Sequence, residues 1–158
     1  MKKNLFLAIL CVLGLFGTLN AQVVTIDGTV GGYTTESGNK APVYCANKWA
    51  ITQQFYTAEE IGKSSGTIET IAFKTTDQGT YPYTRNLNVY MVNSDEYAIV
   101  GNGMKAMSAS DLVFSGEVTF AQNAWVSIDI TDFEYTGKNI LICVNDVTGS
   151  NVSGGAYF

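Results

Sequence analysis

The stretch NLNVYMVN, residues 86–93, alternates without a fault. Leu87, Val89 and Met91 fall on one side of an extended chain, and Asn88, Tyr90 and Val92 on the other. A period of two is incompatible with an amphipathic helix and predicts a strand with one face on a core. The same logic recurs along the chain. Ala50–Tyr56 reads as a strand, and Thr67–Thr75 places Ile71 and Phe73 on one face. WVSIDI sets Val126, Ile128 and Ile130 against Trp125, Ser127 and Asp129. The continuous apolar run in NILICVNDVTG predicts a strand buried on both faces. Val24–Val30 is rich in β-branched residues and reads as a further strand, and LVFSGEVTF reads as two short strands about Ser115-Gly116. Eight or so short strands separated by turn-rich segments, with no sustained helical period, predict an all-β fold: an antiparallel β-sandwich, jelly-roll or Ig-like.

One short helical turn interrupts the strands. In TAEEIG, Thr57 is followed three residues later by Glu60, the spacing of a capping box, and Gly62 can close the turn. The expectation is a corner between two strands, with Glu60 occupied structurally.

The ends carry their own signals. Lys2 and Lys3 precede an apolar run, Leu5–Phe16, and small or polar residues lead to Ala21, the order of a secretory signal. That run is shorter than the roughly 20 residues that span a bilayer. Leu10 before Cys11 is not the small residue that a lipid-modified cysteine requires. Residues 1–21 are therefore expected to be a signal peptide, and residues 22–158 a single β-sandwich module without a transmembrane anchor after processing. The expected location is exported, secreted or on the outer cell surface, with the periplasm in transit. SGGAYF at the end reads as the start of a closing strand, so a shortened copy lacking its last strand is expected.

Charge and composition narrow the chemistry. Removal of Lys2 and Lys3 leaves seven bases against 14 acids, a net charge of −7, which argues against nucleic acid as a partner. The absence of histidine removes Ser-His-Asp and Cys-His catalysis and most zinc sites. VGNGMK, residues 100–105, lacks the spacing of a phosphate-binding loop. Paired carboxylates survive as a glycoside hydrolase option, with Glu59 and Glu60, or Asp129, Asp132 and Glu134, as candidates. A solvated acidic face explains them more simply.

Binding chemistry has more candidates. Tyr81 and Tyr83 flank Pro82 in GTYPYTRN, and with Arg85 and Asn86 they form the expected ligand-binding loop. Flat rings would stack on a glycan or anchor a protein while Arg85 and Asn86 supply directional hydrogen bonds. Tyr33 and Trp49 are further loop aromatics, and Trp49 is expected to cover a sheet edge. Asn145, Asp146 and Asn151 in VNDVTGSN are hard oxygen donors that suit a structural calcium, although a turn bonding its own backbone accounts for them equally well. No other cofactor is expected. Cys45 and Cys143 are the two cysteines left after processing, and a disulfide between them is set against Cys143 as a buried small hydrophobe.

Taken in order, QQFYTAEEIG, GTIETIAF, TRNLNVYMVN, DLVFSGEVTF and GKNILICVNDVTG resemble the β-sandwich adhesin-type, cleaved-adhesin-like modules of secreted and surface proteins of Gram-negative anaerobes. The resemblance covers most of the chain from about Val24. It implies a non-catalytic binding or adhesive role and carries no catalytic residues. The alternatives are a structural or assembly subunit completed by strand addition from another chain and a carboxylate-pair glycoside hydrolase.

Overall fold

The computed structural model describes residues 21–26, 41–77, 79–96 and 103–152. Residues 1–20 of the expected signal peptide, Tyr33 and the terminal segment 153–158 lie outside the described residues. Six strands follow in chain order: β1 (Ala50–Tyr56), β2 (Gly66–Lys74), β3 (Tyr83–Ser94), β4 (Leu112–Phe120), β5 (Trp125–Tyr135) and β6 (Asn139–Asp146). One α-helical turn, α1 (Ala58–Ile61), lies between β1 and β2, and a 3-10 turn, Ala109–Asp111, precedes β4. All pairings are antiparallel, in a four-stranded sheet of order β1-β6-β3-β4 and a two-stranded sheet of β2 and β5. The fold is the expected all-β sandwich.

The alternation read from the sequence sets the inner faces. Tyr83, Arg85, Leu87, Val89 and Met91 all point inward from β3, and Ile140, Ile142, Val144 and Asp146 from β6. Phe73, Ile128 and Ile130 meet them from the second sheet. The core lies between the sheets and thins toward β1. There the inward residues are polar, and they are satisfied in series: Tyr56 Oη donates to Gln54, Gln54 Nε2 to Thr52, and Thr52 Oγ1 to the Pro42 carbonyl. Such a chain of bonds is what allows polar groups to line the margin of a core.

β6 is buried on both faces, as its continuous apolar run predicts. Leu141 and Cys143 point to the outer side of the four-stranded sheet and are still almost fully buried. Gln53, opposite Cys143 on β1, exchanges two hydrogen bonds with the Lys105 backbone, 2.6 and 2.8 Å long. The segment around Lys105 thus runs over this part of the outer face.

Two strand expectations need correction. LVFSGEVTF is one strand, β4, and Gly116 is not a turn residue. A Cβ there would come within 3.1 Å of Phe114 Cζ, so the missing side chain makes room for the Phe114 ring beside it. Residues 24–26 of the expected strand Val24–Val30 carry no strand, and the remainder lies outside the described residues. Half-buried Ile26 nevertheless packs against the core.

TAEEIG is the capped corner its spacing implies. Glu60 N donates to Thr57 Oγ1 at 3.2 Å, Thr57 N donates to Glu60 Oε2 at 2.7 Å, and Gly62 takes the left-handed conformation, φ 65°, that ends the turn. Ala58 N, another donor at the helix start, is met by Asn139 Oδ1 at 2.9 Å. The corner is thereby tied to the start of β6.

Candidate functional site

The richest polar geometry lies at the end of the sandwich where β3 begins and β6 finishes. Arg85 points inward by the same alternation that buries Leu87, and it is 1% exposed. Its Nε donates to Asp146 Oδ2 at 2.6 Å, its Nη1 to the Ser150 carbonyl at 2.6 Å, and its Nη2 to the Asn47 carbonyl at 2.9 Å. The other Asp146 oxygen, Oδ1, accepts from Thr148 N at 3.0 Å and Thr148 Oγ1 at 2.6 Å. A buried guanidinium with all three nitrogens engaged joins the loop before β1, the start of β3 and the loop after β6. Backbone bonds reinforce the junction: Val147 N to Asn86 O, Gly149 N to Lys48 O, and Val152 N to Cys45 O, each 2.9 Å.

The expected ligand loop and the expected calcium turn are therefore one place, but neither works as read. Tyr83 and Arg85 are core residues. Tyr83 is 5% exposed and stacks on Phe120 with ring centroids 5.0 Å apart, while Tyr81, half-buried, tilts against Tyr83 at 5.4 Å. Asn86, next to Arg85 in an extended strand, faces the opposite way and is exposed. The four residues cannot form one open surface.

The same argument breaks the calcium set. Asn145 and Asp146 are consecutive in β6, so their side chains lie on opposite faces of the sheet, and the inward carboxylate is neutralised by Arg85. Asn151 is exposed in the following loop. No cluster of three or more His, Cys, Asp or Glu suited to a metal occurs among the described residues.

Cys45 and Cys143 are separate buried thiols, not a disulfide. Cys45 belongs to the core between the sheets, whereas Cys143 faces outward beside Gln53, so the sheet itself stands between them. Burial pushes the Cys143 thiol above its ordinary range, and the hydrogen bond with Gln53 opposes that in part. Burial also raises the Tyr83 phenol far above its ordinary range, with Cys45 a smaller contributor. The Tyr83 hydroxyl has no hydrogen-bond partner.

The carboxylate candidates are dispersed. Glu60 belongs to the capping box. Asp129 and Glu134 sit exposed on the two-stranded sheet and accept from Thr70 and Thr67 across the strand pair, each at 3.0 Å. A cleft of about 470 Å³ between the ends of β3 and β5 and the 3-10 turn is lined by Asp111, Asp132 and Glu134, with Met91 and Phe133 among its apolar walls. Asp111 is already engaged there, capping Ser108 through its backbone N–H and hydroxyl at 2.7 Å.

What sequence reasoning underrated is Trp49. It is 65% exposed at the threshold of β1, and its Nε1 lies 3.8 Å from where a Cβ on Gly149 would be. The ring therefore lies beside the clamped loop while most of its surface meets solvent. The signal was the chain position of Trp49, one residue before an edge strand, but its neighbour Gly149 lies a hundred residues away in sequence.

No family model matches the chain, and no solved structure gives a significant match. A stretch of 96 residues is 27% identical to the tyrosine-protein kinase hopscotch of Drosophila melanogaster, covering 60% of this chain and 8% of that protein. The chain spans less than a tenth of that relative's length, and the likeness assigns it no family. Among the described residues no helix is long and apolar enough to cross a membrane.

Proposed function

We propose that this chain is an exported, non-catalytic binding module of adhesive type, similar to cleaved-adhesin-like modules, that recognises a glycan or a protein surface. The observation that supports this reading is the Arg85–Asp146 clamp. It holds three loops in one arrangement, with Trp49 exposed beside them. Rigid loops on a sheet scaffold lower the entropy lost on binding, which is how such surfaces reach useful affinity without catalytic groups. Two measurements test it. N-terminal analysis of the protein recovered from culture medium or cell surface should begin at Gln22; a retained Met1 would remove the export reading. The mature protein should bind intact cells or extracellular matrix saturably; hydrolysis of a glycan panel that Asp132→Asn abolishes would replace the binding reading with an enzymatic one.

A second reading, an assembly subunit completed by another chain, is favoured by the smaller sheet. Among the described residues β2 and β5 pair only with each other, and a two-stranded sheet presents unpaired backbone on both edges. Strand addition would show as a stable oligomer by light scattering that proline substitutions along β2 disperse.

A further inference from the structure

We propose, resting on the binding-module reading above, that the ligand is a neutral oligosaccharide lying across the outer face of the four-stranded sheet at its clamped end. The strand register places Ile51, Asn145, Asn88 and Ser115 in one row that crosses all four strands. At a strand spacing of about 4.8 Å that row is about 14 Å long, enough for a short run of sugar rings. Asn86 and Glu117 form the next pair toward the clamp, on the same face. Ser115 Oγ donates to Asn88 Oδ1 at 2.8 Å, which fixes the amide and leaves its NH2 available. On this face Asn86 is exposed and Asn145 half-buried.

The chemistry of this row selects its occupant. Each amide offers an acceptor and two donors, the complement of neighbouring sugar hydroxyls that both give and take hydrogen bonds. Glu117 is the one acidic residue of these six, and its oxygens can accept from a hydroxyl pair. Trp49 borders the row at β1, where its exposed ring can stack on the apolar face of a sugar. An anionic polysaccharide is disfavoured, because the chain carries a net charge of −5 before processing and none of these six side chains is a cation. A protein partner would want a desolvated apolar centre, and Ile51 is the only aliphatic residue in the row. The strand positions that carry Asn86 and Asn145 are held by the clamp. The backbone N–H of Asn86 donates to Thr148 Oγ1 of the loop after β6 at 2.8 Å, and Asn145 precedes the clamped Asp146.

Calorimetry of the mature chain against oligomers of glucose, mannose, galactose, xylose and N-acetylglucosamine tests the proposal, with deglycosylated matrix proteins as a parallel panel. Saturable binding to a neutral oligomer is expected. Trp49→Ala should weaken it about tenfold, equivalent to about 1.4 kcal/mol. The double variant Asn88→Ala, Asn145→Ala should weaken it at least as much, with the thermal midpoint held. Trp49→Phe, which keeps a ring, should retain most of the affinity and so separates stacking from damage to the fold. Glycan binding that none of these variants changes would overturn the location. Binding confined to the deglycosylated proteins would overturn this inference and leave the binding-module reading standing. No binding in either panel would overturn both.

Discussion

The two sheets of this sandwich are built to different standards. The four-stranded sheet contains a strand, β6, buried on both faces, and an ion pair whose partners are 0% and 1% exposed. The two-stranded sheet turns Thr67, Thr70, Asp129 and Glu134 to solvent and joins them by hydroxyl-carboxylate bonds. Its register also slips between Ile68 and Thr70. Across that slip the inward residues change parity, from Ile71 and Phe73 to Ile68 on β2, and from Val126, Ile128 and Ile130 to Phe133 and Tyr135 on β5. A bulge of this kind bends the pair over the core, at the cost of an interrupted ladder. Stability should therefore reside mainly in the larger sheet, and the smaller one should tolerate change.

Removing half of the clamp should have the largest effect on stability. Arg85→Ala or Asp146→Ala leaves a buried charge unpaired, together with freed loop carbonyls or donors, and should cost about 3–5 kcal/mol in urea denaturation. Replacing both with apolar residues of similar volume should cost less than either single change. If the single variants match the wild type, the pair is not the organising element. For the contrast between sheets, Leu141→Ala empties a fully buried site on β6 and should cost about 2–5 kcal/mol, whereas Ile71→Ala, half-buried on β2, should fall below that range. Equal losses would show that the two sheets share the load evenly.

The smallest effect concerns Tyr83. Its hydroxyl is buried without a partner, so Tyr83→Phe should be neutral or stabilising by at most about 1 kcal/mol, since nothing is lost except an unsatisfied group. The pH profile sharpens this. The folded state holds the phenol proton more tightly than the unfolded chain does, because burial raises its pKa. Above the ordinary phenol range, about pH 10, the unfolded state binds fewer protons than the folded one, so stability falls as pH rises. Denaturation midpoints measured from pH 8 to 11 should decline less steeply in Tyr83→Phe than in the wild type. An unchanged slope would assign the alkaline loss to other groups.

Much of the fold was legible because side-chain alternation is local. Leu87, Val89 and Met91 announce the inner face of β3, and the spacing of Thr57, Glu60 and Gly62 announces the corner. Arg85 shares that parity and could have been placed inward on the same grounds. Its adjacency to Tyr83 and Asn86 in a turn-rich segment suggested a loop instead, yet β3 already begins at Tyr83. The pattern cannot reveal the partner that makes an inward arginine tolerable.

Local pattern was enough to show antiparallel strands, the inner-face residues Leu87, Val89, Met91, Ile71, Phe73, Ile128 and Ile130, and the place of one capped corner. Each follows from interactions within a few residues. Tertiary structure decided that Asp146 reaches Arg85 from 61 residues away, that Cys45 and Cys143 fall on opposite sides of one sheet, and that Asn145, Asn88 and Ser115 share a row. Those relations depend on which strands pair and in what register. A shift of one residue would turn every one of these side chains to the other face, and only the packed core selects among the registers.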